Sequence, residues 1–256
     1  MNREPWIVPM IGASGPAARL VFFPHAGGSV NFYLPLARLL SISASISGIQ
    51  YPGRQERRAE PGLEDLTAIA DHAYDALTRA FDEPLILFGH SMGAIAAFET
   101  ARRYARDGRH DVAALVVSGR AAPDVNHSAG LELLNDDDMI AALIAQSAID
   151  AALIREPDVR EMILAPLRTD YRAVGRYRHA GEDRLECPVL AYWGDRDPAT
   201  PPADIPGWEK YTTGTFSTRS FDGGHFFVNE LRTDVAHRLS QDLQGIDFGT
   251  YSTARS

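Results

Sequence analysis

Ser91, Asp197 and His225 are the residues whose types and surroundings could assemble an activated nucleophile in this chain. Ser91 lies in Gly89-His90-Ser91-Met92-Gly93, a G-x-S-x-G pentapeptide that means little in isolation. Here residues 85–88 (LILF) form an apolar run fit for a buried strand, and residues 94–99 open a helix-prone segment. The pentapeptide must then be a sharp strand-to-helix turn that holds the serine hydroxyl above a sheet, a nucleophile elbow. Glycine is needed at both flanks, because a side chain at Gly89 or Gly93 would collide with chain passing close by. The Met92 N–H, at the start of the helix, is placed to bind negative charge developing on a substrate oxygen.

An acid and a base are expected at the ends of later strands. Residues 189–193 (VLAYW) run into Gly194-Asp195-Arg196-Asp197-Pro198, where a carboxylate can serve a distant histidine. Asp195 directly follows a glycine and reads as a turn-former bonding its own backbone, so Asp197 is preferred as the acid. Residues 215–221 form a last strand, and His225 follows on the glycine-rich loop Asp222-Gly223-Gly224. In this set the Ser91 oxygen attacks an acyl carbonyl, His225 moves the proton, and Asp197 fixes the His225 tautomer. Ester, amide and thioester remain equally open on these residues alone. Residues 19–23 (RLVFF) run into Pro24-His25-Ala26-Gly27-Gly28-Ser29, which makes the main chain at Ala26 the candidate for a second oxyanion donor beside Met92. His25 reads as a scaffold for that loop. No G-x-G-x-x-G and no Walker-type lysine is present, and Cys187, the single cysteine, reads as a small buried residue.

The elements that would position these groups alternate. Strands are expected at residues 19–23, 44–50, 85–88, 114–118, 189–193 and 215–221, and helices at 32–40, 63–81, 94–107 and 228–243, the pattern of an α/β fold with a covered parallel sheet. Residues 1–17 read as an irregular lead-in. Along residues 63–81, Leu63, Leu66, Ile69, Ala70, Ala73 and Leu77 trace one helical face, which leaves His72 on the surface. Arg102, Arg103, Arg106 and Arg109 are expected on the exposed side of the helix after the elbow, and His110, His127, His179 and His237 in surface-like settings. Residues 124–180 contain no strand pattern but helical candidates at 136–147 and 159–171, so one domain spanning 1–256 with a helical lid inserted at 124–180 is expected. Arg54, Arg57 and Arg58 form a local basic cluster in a Pro-Gly turn.

At 256 residues and 45% hydrophobic content the chain can bury a full core. A net charge of -9 and a pI near 5.3 argue against a nucleic-acid partner. With no long apolar stretch and no signal-peptide layout, a cytoplasmic enzyme without membrane contact is expected.

Beyond these features, the chain resembles the type II thioesterases that accompany polyketide synthases and nonribosomal peptide synthetases. The resemblance is carried by FPHAGGSVNFY at 23–33, YPGRQER at 51–57, FGHSMGA at 88–94, PLRTDY at 166–171, GDRDP at 194–198 and GGHFF at 223–227. It implies an α/β-hydrolase fold and a monomeric enzyme without cofactor or metal. That enzyme would act transiently on acyl groups held on the phosphopantetheine arms of acyl or peptidyl carrier proteins. It also implies Ser91, Asp197 and His225 as the triad and the Ala26 and Met92 amides as the oxyanion hole. A generic carboxylesterase, a fatty acyl-releasing thioesterase and, least favoured, a non-catalytic binding module are the alternatives. The arginines at 54, 57 and 58 are expected to meet an acidic carrier helix.

Overall fold

The computed structural model describes residues 5–13, 16–146 and 153–246. In chain order the strands are β1 (Ile7–Ile11), β2 (Ala18–Phe23), β3 (Ala44–Ile49), β4 (Leu85–His90), β5 (Val112–Ser118), β6 (Val189–Gly194) and β7 (Phe216–Phe221). The helices are α1 (Leu34–Ala37), α2 (Leu66–Ala80), α3 (Met92–Arg106), α4 (Asp136–Ala145), α5 (Pro157–Arg176), α6 (Phe227–Glu230) and α7 (Arg232–Gln244). All seven strands join one sheet in the order β1-β3-β2-β4-β5-β6-β7, parallel except for β1. This is the expected α/β-hydrolase architecture, a mostly parallel sheet with helices on both faces. Every residue of β4 and β5 is buried, as a parallel sheet covered on both sides requires.

One apolar layer, including Ile69 and Leu77 of α2 and Ile95 and Phe98 of α3, covers one face of the sheet. Leu36 of α1 and Val235 and Leu239 of α7 cover the other. Each such large side chain contributes roughly 1.5–3 kcal/mol by leaving water. The helix expected from residue 63 begins at Leu66, because the Asp65 carboxylate accepts from the Thr67 N–H (2.8 Å) and caps it there. The expected lead-in at 1–17 is corrected: residues 7–11 are β1, paired antiparallel to β3 at the sheet edge. Pro9 disguises this strand, and proline is tolerated there because an edge strand has only one neighbour to bond.

Between β5 and β6 no strand occurs among the described residues, and α4 and α5 occupy the stretch expected to be helical. Residues 147–152, inside that stretch, lie outside the described residues. The helix expected over 159–171 is longer, running through Pro166, and starts with Pro157 in its first turn, where no N–H is missed. Met139, Ile140 and Leu143 of α4 pack with Leu164, Leu167 and Tyr171 of α5 into a small core of their own. No helix among the described residues is long and apolar enough to cross a membrane.

Candidate active site

The elbow forms as its sequence dictates. Ser91 adopts φ 55 and ψ -116, a conformation that a side chain enters only at a cost of about 1–3 kcal/mol. The Ser91 N–H donates to the Ser118 carbonyl (2.8 Å), fastening the turn to the end of β5. A Cβ at Gly89 would lie 2.0 Å from the Gly93 oxygen, and one at Gly93 would lie 1.9 Å from the Phe23 oxygen. Both glycines are therefore required by backbone that cannot move aside. Met92 is the first residue of α3, where an amide has no partner within the helix.

His225 stands on the loop after β7, and its Nδ1 donates to Asp197 Oδ2 at 2.7 Å. The second Asp197 oxygen, Oδ1, accepts from the Ala199 N–H at 2.9 Å. Burial pushes the Asp197 carboxyl up, but the hydrogen bond and charge of His225 and the Ala199 amide outweigh it, so the group is held below the usual carboxylate range. An ionised Asp197 requires the proton on Nδ1, which leaves Nε2 of His225 as the nitrogen able to accept a proton. Asp195, by contrast, is exposed, and its Oδ1 accepts from the Gly223 N–H (3.1 Å). It does shape a turn, though by holding the loop before His225 rather than its own backbone.

The loop carrying Ala26 is braced from two sides. The Gly27 N–H donates to Asp170 Oδ2 (2.7 Å), and Asp170 in turn takes both terminal nitrogens of Arg54 (2.7 and 2.8 Å). Arg54 also donates to the Gly28 carbonyl (3.1 Å), and the Tyr51 hydroxyl to the Pro24 carbonyl (3.2 Å). A buried arginine-carboxylate pair thus joins α5 to the glycine turn. This corrects the expected basic docking cluster: Arg54 is consumed by Asp170, and Arg57 is buried against Glu60 and the Gln50 carbonyl, leaving only Arg58 of the three exposed. Arg102 is corrected likewise, being buried against Glu99 (2.7 Å), with Asp183 and the Ala180 carbonyl closing over it.

Ser91, Met92, Ala26 and His225 line one cavity. Leu131, Leu143, Tyr171 and Val174, from the inserted stretch, form its apolar wall. His127 also borders it, from the exposed setting expected, and its Nε2 meets Asp204 Oδ2 at 2.6 Å. His179 is half-buried, with its ring against Tyr211. His90 lies behind two imidazoles of the cavity wall, its ring centroid 5.1 Å from that of His225 and 6.1 Å from that of His25. His90 Nδ1 faces Ser118 Oγ (3.0 Å), and His25 Nδ1 faces the Tyr33 hydroxyl (3.2 Å). Burial, with the charges of His225 and Arg54, pushes His25 down to about 3 and fits the scaffold role expected of it. Sequence reasoning assigned nothing to His90, Arg120 or Asp170 individually. Asp170 left a trace in the PLRTDY motif, and Arg120 left none.

A serine, an imidazole-carboxylate pair and two main-chain amides around one cavity can perform acyl transfer. The same chain matches the family model described as "Thioesterase domain" over residues 18–243. It is 38% identical over 241 residues to the thioesterase PikA5 of Streptomyces venezuelae, covering 93% of this chain and 85% of that protein. The solved type II thioesterase BorB, from the borrelidin biosynthetic cluster, superposes with a TM-score of 0.85 at 36% identity, covering 95% of this chain and 99% of that one. RedJ, a thioesterase from the prodiginine pathway of Streptomyces coelicolor, superposes with a TM-score of 0.84 at 30% identity, covering 92% and 95%. Matched by the family model over residues 18–243 and by a relative at 38% identity across 93% of its length, the chain belongs to the thioesterase domain family.

Proposed function

We propose that this enzyme is a serine thioester hydrolase. It clears stalled or aberrant acyl groups from the phosphopantetheine arms of carrier proteins in a polyketide or nonribosomal peptide pathway. The observation that carries the reading is the His225–Asp197 pair at 2.7 Å, on one cavity with an elbow serine at positive φ. Ser91 Oγ attacks the thioester carbonyl while His225 Nε2 takes its proton. The oxyanion is held by the Met92 and Ala26 amides, at the helix start and the braced glycine turn. The tetrahedral intermediate collapses, the arm leaves as a thiol protonated by His225, and the acyl group stays on Ser91. His225 then draws a proton from water, which attacks the acyl-enzyme and frees the acid and Ser91.

Within the single domain, residues 124–180 act as the lid, since α4 and α5 supply the apolar wall over the serine. The enzyme works as a monomer in the cytoplasm and meets its carrier proteins transiently. The test compares one acyl group on a carrier protein, on coenzyme A and as a simple ester. Highest kcat/KM on the carrier is expected. Equal rates on coenzyme A would remove the carrier from the reading, and a preference for the ester would make the protein a carboxylesterase.

A further inference from the structure

Four arginine side chains are buried among the described residues: Arg54, Arg57, Arg102 and Arg120. Three of them have a carboxylate within 2.7 Å, namely Asp170, Glu60 and Glu99. Arg120 pairs with no carboxylate among the described residues. It is 9% exposed and lines the cavity that holds Ser91 and His225. Its Nη1 donates to the neutral Ser128 hydroxyl (2.5 Å), and its Nε has no hydrogen-bond partner. Burial pushes its pKa down only to about 10, so the guanidinium remains charged at neutral pH.

The described residues around it do not supply the missing charge. No aspartate or glutamate lines the cavity among the described residues, and Asp204, which meets His127, is not part of its wall. A buried cation without a counter-ion is costly, and in a molecule of net charge -9 a counter-ion would have been easy to supply. Its absence is intelligible if the ligand brings the negative charge. Two parts of a carrier-bound substrate are anionic: a carboxylate on the acyl group, and the phosphate of the arm. Depth favours the first. Arg120 lines the cavity that also holds Ser91 and His225, the groups that would meet the reacting carbonyl, whereas the phosphate lies at the far end of the arm.

Resting on the thioesterase reading above, we propose that Arg120 anchors an oxyanionic group of the substrate, its main source being a carboxylate borne by the acyl chain. The donor geometry suits this, because a guanidinium offers paired N–H groups that match a carboxylate, and charge-assisted pairs in a water-poor cavity discriminate strongly.

The experiment measures kcat/KM for succinyl and butyryl thioesters of N-acetylcysteamine, which lack phosphate, and for butyryl thioesters of pantetheine and phosphopantetheine. Wild type should prefer succinyl over butyryl by about 10–100-fold. Arg120→Met should collapse that ratio to near one, and Arg120→Lys should restore part of it. If the ratio that collapses is instead phosphopantetheine over pantetheine, the anchored anion is the phosphate. A wild type that shows neither preference overturns the anchor without any variant, and so does an Arg120→Met protein whose losses are equal on all four compounds, the mark of a structural tie to Ser128. Should wild type hydrolyse none of the thioesters, the hydrolase reading fails. The anchor is then judged by saturation-transfer NMR with the same compounds, where loss of the charge preference in Arg120→Met supports it and equal binding overturns it.

Discussion

At the scale of single residues, the two aspartates after β6 separate by what their oxygens touch. Asp197 gives one oxygen to His225 and the other to an amide, whereas Asp195 is exposed and holds only the Gly223 N–H. Asp197→Asn should lower kcat by about 10⁴-fold, through the wrong imidazole tautomer, while Asp195→Asn lowers it far less. The reverse ranking in steady-state assays of folded variants would reassign the acid. The buried histidines predict a pH effect. His25 is held down to about 3, and burial keeps His90 well below its ordinary 6.5, so both stay neutral in the folded protein while the unfolded chain protonates them below about 6.5. The unfolded state binds more protons in that window, so their stabilisation is complete above about pH 6.5 and is lost as pH falls toward 3. His25→Gln should flatten the dependence of Tm on pH between 6 and 5 by about half of what the pair contributes. An unchanged slope would contradict the assignment. Ser91, Asp197 and His225 were legible because each occupies a strand end. The arginines were not: Arg54 looks like a surface residue until its partner, 116 positions later, folds against it.

At the scale of elements, α5 does two jobs. Its Leu167 and Tyr171 pack with α4, and its Asp170 holds the Gly27 amide and Arg54 beside the loop that carries Ala26. Asp170→Asn should therefore reduce kcat by at least about tenfold with a smaller change in KM, because the donor loop loses its brace. Glu60→Gln, which loosens a comparable arginine pair away from the cavity, should leave kcat unaltered. Equal kcat for wild type and a folded Asp170→Asn protein would remove the brace from catalysis. Sequence patterning fixed the type of β2 to β7 and of α2, α3 and α7, since long stripes and apolar runs admit one period. It failed for β1, where Pro9 breaks the strand signal, and for the helix ends, which Asp65 and Pro157 set locally.

At the scale of the whole molecule, the sheet brings the ends of β4, β5, β6 and β7 to one rim, and the helices between β5 and β6 wall the cavity there. The alternation of strands and helices foretold this arrangement, whereas the burial of Arg57 and Arg102 depended on distant segments folding over them. With Arg54 and Arg57 turned inward, recognition of a carrier protein does not rest on that arginine turn. The most direct measurement follows the mass of an acyl-loaded carrier protein incubated with wild type or with Ser91→Ala, whose fold is checked by circular dichroism. Wild type should return the carrier to its free-thiol form, and Ser91→Ala should do so at least about 10³-fold more slowly. Release by the folded Ser91→Ala protein within about tenfold of the wild-type rate would contradict the central claim that Ser91 takes the acyl group from the arm.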